Sequence, residues 1–195
     1  MKQPQKSVRK IADKEGSAKQ FSGINQKLSY LLGENVAWMK EAFGASTDFI
    51  VREFKIGETN AALCFFDGLT DKRLLDEDVL KPLQNFAGDY TADIAAHLLA
   101  VGEVSESSYL NEAAKGVLDG DAVLFIDKAD NLFVIGAKGF DMRAVGQATN
   151  EASLRGAQEA FTENLMTNAS MLRRRLRTDK LKIEFRTLGA MTKTK

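Results

Sequence analysis

The sequence predicts an α/β (α+β) domain: a mixed β-sheet built from two hairpins and a further strand, covered by helices. Two pairs of β-branched and aromatic stretches, each joined by turn residues, supply the hairpins. Between them lie stretches with apolar residues at helical spacing. Hairpins give antiparallel pairs and an intervening helix allows a parallel crossover, hence the mixed sheet. With 44% apolar residues among 195, the chain can bury one core, as a single compact body or as part of a bilobed domain.

Residues 1–20 are polar, lack an apolar period and hold one of the two prolines, so a mobile basic tail is expected there, with a single α/β domain over 21–195. Leu28, Leu31, Leu32, Val36, Met39 and Phe43 then share one face of a helix that Gly44 ends, with Ser22 or Asn25 as candidate cap. Residues 48–56 and 60–67 flank GETN as the first hairpin. Helices are expected over 72–83 and 92–101, with Pro82 near the end of the first and Gly88 between them. Another helix starts at Ser107 or Ser108 and stops before Gly120, its apolar face made by Leu110, Ala113, Ala114, Val117 and Leu118. DAVLFID and LFVIGAK flank KADN as the second hairpin, and both of its strands read as central. A long helix over 155–177 carries Phe161, Leu165, Met171, Leu172 and Leu176, and 181–188 alternates as a last strand. ALCFFD and AVLFID echo one another, as a duplication or as two buried strands that converged on one pattern.

The formal net charge of zero hides a segregation: residues 1–19 carry +4, residues 20–172 carry −11 and residues 173–195 carry +7. Basic ends suit nucleic acid, anionic lipid or an acidic protein surface, or are simply solvated. The longest apolar runs fall far short of the roughly 20 residues of a membrane span. The charged first residues lead into no apolar stretch, so no cleaved secretory signal is expected and the segment is expected to face the cytosol.

Catalytic chemistry is sparse. His97 lies among apolar neighbours in ADIAAHLLAV and reads as a structural histidine at a helix edge. Cys64 sits inside ALCFF and reads as a small buried hydrophobe. One His and one Cys cannot assemble the usual four-ligand zinc site, and the glycines build neither phosphate-cradling pattern, so no metal and no cofactor are expected. Asp67 and Asp127 each end an apolar strand, where carboxylates make turns; as a converging pair they would serve as acid and base or hold magnesium, but no nucleophile accompanies them. In MLRRRLRTDKLK the consecutive Arg173, Arg174 and Arg175 fan out by about 100° per residue, too widely to grip one phosphate row. Phe185 is the nearest aromatic residue for stacking, so nucleic acid is not an expected partner. Cations there also complement a helix C-terminus.

The stretch RAVGQATNEASLRGAQEAFTENLMTNASMLRRRLRTDKLKIEFRTLGAMTKTK resembles the signature segment of GerA-type spore germinant receptor A subunits, in their N-terminal soluble region. Arg143, Glu151, Arg155, Gly156, Glu159, Phe161, Glu163, Asn164, Leu165, Thr167, Asn168, Leu172 and the three arginines occupy the family's positions. Leu181, Gly189, Thr192, Lys193 and Thr194 continue the match, and DFIVREFKIG, the Phe66-Asp67-Gly68 step and GDAVLFID agree more loosely. Ala148 and Ala157 replace family prolines, Gln158 an arginine and Ala160 a glycine.

The resemblance implies a non-enzymatic, cytosol-facing domain at the spore inner membrane, followed in the family by a further part of the N-terminal region and then by membrane-spanning helices outside this chain. It implies a role in receptor assembly and in transmission of the nutrient signal, with other A subunits and the B and C subunits of a nutrient-gated ion channel as partners. The alternative it implies is a domain that binds a small-molecule germinant in a pocket between lobes. The residues expected to carry assembly are Arg143, Arg155, Glu159 and Glu163, the last three spaced as a helical row, together with Asn164, Asn168, Arg173, Arg174 and Arg175.

Overall fold

Two apolar strands lie side by side in the middle of the sheet and fix where every other element packs. The computed structural model describes residues 25–44, 46–86, 95, 97–99, 101–139 and 161–187. In chain order these form α1 (Leu32–Phe43), β1 (Phe49–Ile56), β2 (Thr59–Phe66), α2 (Lys72–Leu74), a π-helical stretch (Leu75–Leu80), α3 (Lys81–Gln84), β3 (Val104–Ser107), α4 (Leu110–Asp119), β4 (Ala122–Ile126), β5 (Leu132–Ile135) and α5 (Leu165–Leu176). The sheet order is β1-β2-β4-β5-β3. In the β2–β4 pair, Ala61 lies opposite Ile126 and Cys64 opposite Val123.

Both faces of that pair are buried, which explains the uninterrupted apolar runs. Leu63, Phe65, Leu124 and Ile126 face a layer made by Leu75, Val79, Leu80, Leu83, Ala95 and Leu99. Cys64, Phe66, Val123 and Phe125 face Met39 and Phe43 of α1 and Leu110, Ala113, Ala114 and Val117 of α4. The result is a sheet with helices on both sides, and α4 lies so close that a Cβ at Gly116 would meet Val134 Cγ1 at 2.8 Å.

The expected hairpins are both present, the first with a two-residue turn at Gly57 (φ 57°) and the second with both strands interior. Among the described residues the sheet is not mixed, because all four pairings are antiparallel. α4 does connect the parallel strands β3 and β4, but β5 inserts between them and bonds to both. VSES was not expected as a strand: apart from Val104 it is polar and it lies at an edge, and its pairing with β5 comes from the backbone.

Boundaries shift for identifiable reasons. α1 starts at Leu32, not near Leu28, whose N–H bonds to Ser108. Asn25 does not cap it, and Ser22 lies outside the described residues; Asp127 accepts from the Leu32 N–H at 3.0 Å. The helix expected over 72–83 is capped by Asp71 and widens to π geometry just before Pro82, where the Lys81 N–H reaches back to Asp76. Of the helix expected over 92–101, Ala95, His97 and Leu98 are helical, Leu99 and Val101 are not, and the rest lies outside the described residues. α4 begins at Leu110, beyond Ser107 and Ser108, and ends at Gly120 in the left-handed conformation. The last helix begins at Leu165 rather than running on from 155, because Asn164 caps it. Residues 181–187 form no strand, since their partners are largely side-chain hydroxyls. The expected tail over 1–20 lies outside the described residues.

Candidate functional site

Asp48 stands one residue ahead of β1 and Arg173 on the inner face of α5, and both are buried, at 1% and 2% side-chain exposure. Arg173 Nε donates to Asp48 Oδ2 at 2.7 Å, and Nη2 donates to Asp48 Oδ1 at 2.9 Å and to Ser46 Oγ at 2.6 Å. The planar guanidinium fits the carboxylate with two parallel bonds, a geometry lysine cannot supply. Its carbon lies 4.1 Å from the centroid of Phe66, adding a cation–π contact. Phe66 itself packs against Phe43 and Phe49 with centroids 5.0 and 5.4 Å apart, so the floor of the site is part of the core.

Ser46 carries the network outward. Its hydroxyl donates to Asp48 at 2.7 Å and accepts from the Ile183 N–H at 2.8 Å. The Thr47 N–H and hydroxyl both donate to the Ile183 carbonyl, at 2.9 and 2.8 Å, and the Phe185 N–H donates back to Thr47 Oγ1. Lys182 Nζ reaches the Ala42 carbonyl at the end of α1. One loop, 46–48, thereby fastens both α5 and the 181–187 segment to the sheet. Gly68 admits the helix: it adopts φ 84°, and a Cβ there would meet Ser170 Oγ at 2.5 Å.

Burying two charges carries a desolvation penalty that the pair only about offsets, yet removing one partner costs about 3–5 kcal/mol because the other stays buried and unmatched. Such a contact therefore specifies one arrangement of α5 on the sheet more than it adds stability.

The other sequence-selected residues have separate roles. Asn164 caps α5, accepting from the Met166 and Thr167 N–H groups, and Asn168 clamps the preceding turn through two 2.7 Å bonds to Thr162. Glu163 lies in that turn, so the helical row expected to align it with Glu159 does not reach it. Arg143, Arg155 and Glu159 lie outside the described residues. Arg174 lines a small cavity of about 230 Å³ with Lys138, Asp119 and Arg177, and Arg175 is exposed. Thus only Arg173 of the arginine run enters the core.

Asp67 and Asp127 do not converge. β2 and β4 run antiparallel, which puts the two carboxylates at opposite ends of the sheet, on the order of 20 Å apart at ~3.3 Å per residue. Asp67 pairs with Lys72 at 2.7 Å while Asp127 caps α1. Cys64 is fully buried, and burial pushes its thiol up to about 12, away from thiolate chemistry. His97 is exposed. Among the described residues no three His, Cys, Asp or Glu side chains gather to hold a metal, and no helix is long and apolar enough to cross a membrane.

Asp48 and Ser46 were not singled out from the sequence. STD before an apolar strand is ordinary turn chemistry, and the partner lies 125 positions away.

Comparison with known proteins agrees with this architecture. The spore germination protein KA of Bacillus subtilis (strain 168) is 31% identical over 174 residues, which cover 86% of this chain and 32% of that protein. The uncharacterized membrane protein YfkQ of the same organism is 27% identical over 180 residues, covering 87% of this chain and 34% of that protein. The chain thus spans about a third of the length of these curated relatives. The crystal structure of the N-terminal domain of the A subunit of the Bacillus megaterium spore germinant receptor GerK3 superposes with a TM-score of 0.66 at 28% identity, over 88% of this chain and 64% of that one. The profile of the Bacillus/Clostridium GerA spore germination proteins matches residues 37–195, and the chain belongs to that family.

Proposed function

We propose that this chain acts in spore germination as the cytosol-facing N-terminal region of a germinant receptor A subunit, without catalysing a reaction, in receptor assembly and transmission of the nutrient signal. It would sit at the spore inner membrane, with other A subunits and the B and C subunits as its partners. The observation that carries this reading is the buried Arg173–Asp48–Ser46 clasp. It holds α5 and the 181–187 segment to the sheet in one defined arrangement, so a displacement of either is felt by the other.

The test is the full-length protein in spores with Arg173→Lys, which keeps the charge and removes the fork. A weakened nutrient response at unchanged receptor abundance supports coupling through the clasp. A normal dose response with the variant receptor present at wild-type level contradicts it.

A second reading, binding of a small germinant molecule, is favoured by a cleft of about 480 Å³ between α1 and the first hairpin, with Lys40, Glu53, Asn60 and Asp127 among its lining residues. Calorimetric titration with amino acids, sugars and nucleosides tests it: heat that disappears in Asn60→Ala supports the reading, and silence across the panel contradicts it.

A further inference from the structure

The outer face of α5 combines two features that the clasp does not use. Leu165, Leu172 and Leu176 are 43%, 36% and 52% exposed. Spaced seven and eleven residues from the first, at about 100° per residue, they fall within about 40° of one another, a continuous apolar stripe. Arg175 and Lys180 are exposed beside and beyond it, and residues 174–187 hold six Lys or Arg against two acids.

We propose that this face docks onto an anionic lipid surface, the leucines entering the headgroup boundary and the cations meeting its negative charge. Charge complementarity selects this occupant over a second copy of the chain. Three leucines so exposed offer on the order of 250 Å², well below the roughly 800 Å² per partner of a stable interface. A two-fold self-contact would also bring Arg175 and Lys180 near their own copies, like charge against like. An apolar stripe flanked by cations is the composition of helices that lie in a membrane interface. This inference does not depend on signal transmission through the clasp, because it uses exposed side chains that make none of the clasp's bonds.

The experiment is co-sedimentation of the full 195-residue chain with vesicles of phosphatidylcholine alone and of phosphatidylcholine with phosphatidylglycerol. The proposal expects binding to the anionic vesicles only, weakened by added salt. Leu172→Ser with Leu176→Ser, and separately Arg175→Gln with Lys180→Gln, should each lower partitioning by about tenfold or more; for the second pair this follows from roughly a fivefold factor per cation near an anionic surface. All four sites are exposed, and the unfolding midpoints of the variants verify that they fold. Failure to bind anionic vesicles, equal binding to neutral ones, or binding that both variants retain, as a basic tail alone would give, overturns the proposal. So does a dimer in sedimentation velocity that the serine variant abolishes, which would assign the face to self-contact.

Discussion

Replacing Asp48 with alanine removes a carboxylate that accepts two bonds from Arg173 and one from Ser46. Arg173 remains 2% exposed, with Ser46 as its remaining hydrogen-bond partner among the described residues and with a third nitrogen, Nη1, that already lacks one. An uncompensated buried charge of this kind costs about 3–5 kcal/mol, against a total of about 5–15 kcal/mol for a typical protein. For a chain of this size that corresponds to a fall in melting temperature of roughly 6–20 °C. The assay is thermal and urea unfolding of wild type, Asp48→Ala, Arg173→Met and the double variant. The double variant should be clearly less destabilised than the sum of the two singles, because the second change removes the charge that the first stranded. A cost below about 1 kcal/mol for Asp48→Ala, or strict additivity, would refute a desolvated pair.

Three further outcomes follow from the same geometry. Cys64 should resist thiol reagents in the folded chain; because its thiol titrates higher folded than unfolded, stability is fully present below about pH 9 and declines as pH rises toward about 12, a slope that Cys64→Ala should reduce in unfolding measured against pH. Gly68→Ala should cost about 1–3 kcal/mol through its positive φ and its collision with Ser170, and adding Ser170→Ala should recover the steric part in denaturant melts. Asn164→Ala should cost about 1 kcal/mol by removing the cap of α5, with faster hydrogen exchange confined to the first turn of that helix.

The elements readable from the sequence were those whose cause is local. GETN and KADN between β-branched runs announced the hairpins, and the spacing of Val36, Met39 and Phe43 announced α1. What was not readable depends on long-range pairing. Four residues in β3, three of them polar, become a strand because β5 offers its edge, and Asp127 becomes a helix cap because β4 ends beneath α1. The long helix expected from 155 starts only at Leu165, since asparagine favours a cap over a helix interior. In the site, the arginine run was visible, but nothing local distinguishes Arg173, which turns inward to Asp48, from Arg175, which faces water.

The claim that the clasp couples the C-terminal segment to the sheet is tested most directly by Asp48→Leu with Arg173→Met in the full-length protein in spores. Apolar replacement of a buried ion pair keeps packing and is often neutral in stability, so it separates folding from coupling. The expected result is a receptor of normal abundance whose nutrient-triggered germination is strongly reduced. Germination at wild-type rate and nutrient threshold would show that the ion pair holds the fold without carrying the signal.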